Sequence, residues 1–166
     1  EFSFYMPGRG GNVRIGIKSS KGAKWLIDAD RIVSRYRAGS MVYEIRDALF
    51  GGGTLVLTAL PTHLTEGLLI KVELRNTNET VELVTAFGGS DGDRGRRNGD
   101  IRGEAVPVTE FFQLKPEYCK DSKFTIQSNS FTQVGKGGKI AGIAPLSTVF
   151  YVADANNWNK VENLSA

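Results

Sequence analysis

One cysteine, Cys119, and one histidine, His63, are all that 166 residues offer to thiol or imidazole chemistry. A lone cysteine excludes an internal disulfide and a multi-cysteine zinc site. It leaves the compartment open, because many periplasmic and surface proteins carry no disulfide. Long apolar runs are missing too: none approaches the ~18 residues that cross a bilayer as a helix, so no transmembrane segment is expected. No basic segment followed by an apolar one opens the chain at Glu1, so a signal peptide is read as absent or already removed. Charge of one sign is scarce: 21 Lys and Arg against 18 Asp and Glu leave a formal +3. That is too little to imply a polyanion by itself, and no nucleic-acid partner is expected. Amphipathic helices are also lacking. Tyr43 to Phe50 could pass for a helical turn, but it is short and uncapped.

What the chain has in quantity is glycine, 20 residues, set between short β-branched and aromatic runs. Val13, Ile15 and Ile17 alternate with polar or small neighbours, as do Met41, Tyr43 and Ile45, and Thr54 to Leu60 is β-branched up to Pro61. A period of two marks strands with one buried face. Leu68 to Phe87 reads as a long central hairpin turning at Asn76-Thr77-Asn78-Glu79, with the charged loop Gly88 to Arg102 as its exit. Further strands are expected at Phe2–Met6, Lys24–Ile27, Ile32–Arg37, Val108–Leu114, around Phe124 and Phe131, at Lys139–Ile143 and at Thr148–Ala153. About a dozen short strands at this spacing predict an all-β, antiparallel sandwich without substantial helix. Residues 1–153 are read as one domain, and 154–166 as a polar tail or a linker to a neighbour. The abrupt strand-like start suggests a piece of something longer.

Few residues carry chemistry. Gly8-Arg9-Gly10-Gly11-Asn12 imitates a phosphate loop, but a strand rather than a helix follows, so a turn is expected. Asp91, Asp93 and Asp100 could offer oxygens to calcium; Arg94, Arg96 and Arg97 nearby could instead neutralise them, and that is the reading preferred, with no metal site. The same three arginines, with Asp100, could grip a carboxylate or phosphate or dock a neighbour, or could simply solvate a long loop. His63 and Glu66 share one connection, where an acid–base role competes with an idle exposed histidine. Cys119 has no histidine beside it. Trp25, Tyr36, Tyr43, Tyr118 and Trp158 could stack on sugar rings or fill the core.

Several phrases are specific enough to carry a resemblance: Tyr5-Met6-Pro7-Gly8 with Gly10-Gly11-Asn12, Lys24-Trp25-Leu26-Ile27-Asp28-Ala29-Asp30, and Arg35-Tyr36-Arg37-Ala38-Gly39-Ser40-Met41-Val42-Tyr43-Glu44. Ala86-Phe87-Gly88-Gly89, Arg97-Asn98-Gly99-Asp100-Ile101 and Leu114-Lys115-Pro116-Glu117-Tyr118-Cys119-Lys120-Asp121 continue it. Together they resemble the N-terminal domain of unknown function of large predicted glycoside hydrolases of the six-hairpin type, from glycan-degrading bacteria. The resemblance implies a supersandwich preceding an (α/α) toroid in the same chain. The acid and base carboxylates belong to that toroid, so no catalytic residue and no cofactor is carried onto this sequence. It also implies export to the periplasm or cell surface, and a lost initial segment. The expected role is a non-catalytic brace that shapes the sugar cleft of a separate glycosidase domain, with an oligosaccharide as a further ligand. The alternatives are an autonomous carbohydrate-binding module using Trp25, Tyr36 or Trp158, and a free-standing hydrolase pairing Glu44 with Glu66 across a cleft.

Overall fold

The computed structural model describes residues 2–6, 9–88, 116–135 and 137–164. Among the described residues the regular structure is eleven strands and a few short 3-10 turns. The strands are β1 Phe2–Met6, β2 Arg9–Ser19, β3 Gly22–Trp25, β4 Arg31–Arg37, β5 Ser40–Arg46, β6 Thr54–Pro61, β7 Leu68–Arg75, β8 Glu82–Gly88, β9 Lys123–Gln127, β10 Ser130–Gly135 and β11 Gly138–Ile143. The all-β antiparallel class expected from the two-residue period is the one the chain adopts.

Three sheets form. One has the order β1-β2-β3, with β8 also paired to β2; the second runs β4-β5-β6-β7; the third runs β11-β10-β9. The chain divides into two compact units, one of Glu1–Arg14, Ala86–Asn159 and Asn163–Ala166, the other of Ile15–Thr85 and Lys160–Glu162.

The second unit has an aliphatic core. Ile15, Ile17, Leu26, Ile45, Leu49, Phe50, Leu55, Leu57 and Val161 are buried, each stabilising the fold by about 1.5–3 kcal/mol through removal from water. The alternation predicted for β5 and β6 puts Ile45, Leu55 and Leu57 on the same face, because Ile45 pairs with Leu55 and Tyr43 with Leu57. The first unit relies on rings. Phe131 lies 5.4 Å from Phe87, 6.1 Å from Phe124 and 5.9 Å from Phe150, centroid to centroid, all tilted. Aromatic pairs prefer such offset geometry.

Rings also explain glycines in strands. A Cβ on Gly11 would stand 2.7 Å from the Phe87 ring, and one on Gly142 would collide with the Phe131 ring. Both sites need the missing side chain for close approach. The glycine-rich stretch expected as a turn thus enters the sheet: Gly10 and Gly11 belong to β2, opposite Tyr5 and Phe4.

Two other expectations change. Leu68 to Phe87 is not a hairpin: β7 pairs with β6 from Pro61↔Leu68 to Thr54↔Arg75, whereas β8 pairs with β2. The connection is diverted by its own polar groups. Asn76 takes a left-handed φ of 55°, Thr77 Oγ1 donates to the Phe50 carbonyl at 2.6 Å, and Glu79 pairs with Lys21 at 2.7 Å. Thr148–Ala153 forms no strand; Pro145 opens a turn there, closed by Thr148 N–H on its carbonyl. In residues 154–164, Trp158, Val161 and Leu164 are buried. Two 3-10 turns, Ala155–Asn157 and Val161–Asn163, shape that segment.

Candidate functional site

The described residues that gather most charge lie on one face of the β4-β5-β6-β7 sheet. Its registers fix the membership. The row Val33, Glu44, Val56, Glu73 crosses all four strands, and the next row is Arg35, Val42, Thr58, Lys71. On the other side of the first row Arg31 stands opposite Arg46, and Thr54 opposite Arg75. Alternation along β4 adds Arg37. This face therefore holds Arg31, Arg35, Arg37, Arg46, Lys71 and Arg75 with only Glu44 and Glu73 against them.

The turn Ala38-Gly39, with Gly39 at φ 78°, sets this register. Arg35 donates to Glu44 at 2.7 Å. Glu73 is flanked by Lys71 at 3.1 Å and Arg75 at 3.2 Å, and the Lys71 hydrogen bond leads in holding its carboxyl below the usual range. Arg31 and Arg46 have no carboxylate partner among the described residues. Between them Val33 floors an open depression of about 280 Å³, lined by Arg31, Val33, Arg35, Glu44 and Arg46. Guanidinium groups around a small apolar floor can hold a planar anion by two parallel hydrogen bonds, and Glu44 can accept one from a hydroxyl.

A second polar cluster is structural. Asp47 is buried, accepts from the amides of Leu49 at 2.9 Å and Asp30 at 3.1 Å, and pairs with Lys24 at 2.8 Å. Asp30 returns the contact by accepting from the Ala48 amide at 2.9 Å. Burial pushes the Asp47 carboxyl up, but Lys24 and the two amides together outweigh it and hold the group below its ordinary value. The Asp47 hydrogen bond, working against desolvation, raises Lys24. This cross-tie joins the β3–β4 and β5–β6 connections.

The sequence-predicted candidates scatter. Trp25 is 4% exposed and closes with Val161 over Gly16, so its indole is core packing rather than a stacking platform. Trp158 is also buried, with the Arg14 guanidinium over its ring at 5.1 Å. Tyr36 is 75% exposed on β4 but on the face opposite the arginines. His63 and Glu66 lie on the exposed β6–β7 connection, closed by Thr62 N–H on the Gly67 carbonyl. Glu44 sits opposite Val56 on β5, about 15–20 Å of strand from that connection, so Glu44 and Glu66 are not brought together. Arg94, Arg96, Arg97, Asp100, Asp91 and Asp93 lie outside the described residues, as do the side chains of Cys119 and Tyr118. Among the described residues no cluster of three His, Cys, Asp or Glu could hold a metal ion, and no helix is long and apolar enough to cross a membrane.

The arginine face was missed in the sequence, although Arg31, Arg35 and Arg37 recur at even spacing within one strand. What the sequence hides is the partner: Arg46 joins them only once the turn at residues 38–39 sets the register.

An all-β domain with an anion-compatible sheet face and no catalytic cluster among its described residues is the class these observations define. The chain belongs to the family "domain of unknown function (DUF4450)", which matches residues 6–160. Comparison with curated proteins and with solved structures finds no match.

Proposed function

We propose that this domain is a non-catalytic module of a carbohydrate-active enzyme, docked on a separate (α/α) toroid glycosidase domain of the same chain and bracing its sugar cleft. The observation that carries the reading is an apolar stretch left open to water in the first unit. Ile143, Leu146 and Val149 are 81%, 84% and 76% exposed, and Val152 is exposed beside them. A monomeric surface seldom spends so many large apolar side chains within ten residues, and such stretches commonly mark an interface. The resemblance noted above names the neighbour and carries export to the periplasm or cell surface with it.

The test begins with the reading frame beyond Ala166. Where a helix-patterned domain follows, the full chain carrying Leu146→Asp and Val149→Asp should lose thermal stability and glycosidase activity while this domain keeps its circular dichroism. Hydrolysis of a glycosidic substrate by the 166-residue chain alone, or no effect of the double substitution on the full protein, would overturn the proposal. A second reading, an autonomous carbohydrate-binding module, is favoured by the open depression on the arginine face rather than by the aromatic residues.

A further inference from the structure

We infer that the β4-β5 sheet face is a binding site for an acidic sugar, one that presents a carboxylate or a sulfate ester on a hydroxylated ring. The inference rests on the carbohydrate role proposed above and names the ligand class.

Arg31 and Arg46 are directly opposed across an antiparallel pair, an arrangement in which like charges destabilise a sheet. On the same face Arg35 is matched by Glu44, and Lys71 and Arg75 share Glu73. The opposed pair lacks a carboxylate among the described residues, and it flanks the depression. A bound anion would remove the repulsion and accept from both guanidinium forks at once.

The lining also selects the kind of anion. Glu44, already anchored by Arg35, borders the same depression and can accept from ligand hydroxyls. A phosphate polymer has little use for a carboxylate there, because it presents few hydroxyls for Glu44 to accept from. No aromatic side chain occurs in the rows of this face, since Tyr36 pairs with Met41 and Tyr43 with Leu57 on the opposite one; base stacking, which single-stranded nucleic acid uses, has no platform. An anionic group with adjacent hydroxyls fits both halves of the site, as a uronic acid or a sulfated sugar does.

The experiment is calorimetric titration of the 166-residue chain at low and physiological salt. Four probes are used: a uronic-acid oligosaccharide, a sulfated oligosaccharide, a neutral oligosaccharide of equal length and a single-stranded oligonucleotide. One of the two acidic glycans should bind at least tenfold tighter than the neutral one, and which of them does so assigns the carboxylate or the sulfate. Arg31→Ala with Arg46→Ala should abolish at least tenfold of that affinity, and Arg46→Lys should restore only part of it, because a point charge replaces a fork. Lys71→Ala, on the same face but outside the depression, should change it less than threefold. Circular dichroism of each variant confirms folding. No preference for either acidic glycan, equal binding of the oligonucleotide, or equal losses from Lys71→Ala and the arginine variants would overturn the inference. Such a failure leaves the toroid-docking test unaffected, whereas loss of docking with acidic-glycan binding intact would point to the autonomous module instead.

Discussion

The two units solve the same problem, covering a sheet, with different materials. The second packs branched aliphatic side chains under β5 and β6 and spends its polar groups on a buried carboxylate cross-tie and a charged outer face. The first packs phenylalanine rings onto glycines and leaves apolar side chains open along residues 143–152. An aliphatic core tolerates loss of volume by partial relaxation, whereas a ring seated on a bare Cα tolerates no added atom. The charged face suits a small polar ligand, and the apolar stretch suits another protein surface.

Three substitutions would break or sharpen that contrast. Phe50 is fully buried among the aliphatic side chains of the second unit, so Phe50→Ala should cost about 3–5 kcal/mol in urea unfolding at neutral pH; a cost below about 1 kcal/mol would mean that this core is not what holds the second unit. Asp47→Asn keeps the shape but weakens three charge-assisted contacts, and should cost about 2–3 kcal/mol. Its dependence on pH follows from the sign of the shift. The folded carboxyl sits below the ordinary 3.8, so its contribution is present above that value and fades as pH falls through the folded one. The gap between wild type and Asp47→Asn should therefore narrow below about pH 4, and a gap that stayed constant to pH 2 would remove the ionic account. Gly142→Ala should cost about 1–3 kcal/mol through collision with Phe131. Adding Phe131→Leu should recover part of that loss, and if the two costs merely add, ring-on-glycine packing is not the constraint.

Strands β5, β6 and β7 were legible because their alternation reports one buried face directly, whereas Thr148–Ala153 was expected as a strand and forms none, and the expected strand at 108–114 lies outside the described residues. Strand partners were not. Leu68 to Phe87 satisfies every local rule for a hairpin, yet Thr77 and Glu79 find partners at Phe50 and Lys21, remote in sequence. The site was split the same way. Trp25 has the chemistry of a sugar platform, but aromatic type alone says nothing of burial, and the same residue type serves a core. Arg31 and Arg46 were unremarkable apart and became a feature only as cross-strand neighbours. The Arg94, Arg96, Arg97 and Asp100 cluster lies outside the described residues, so its role rests on sequence.

Val161 packs against Gly16 beside Trp25 and is among the most deeply buried residues of the second unit. Synthesis runs from the N-terminus, and domains fold as their parts emerge. The core residues made before Val161 thus stay unsealed until it has cleared the ribosome. Nascent chains stalled before that point should present the Trp25 side of the core to chaperones, and release of that hold should coincide with the arrival of Val161.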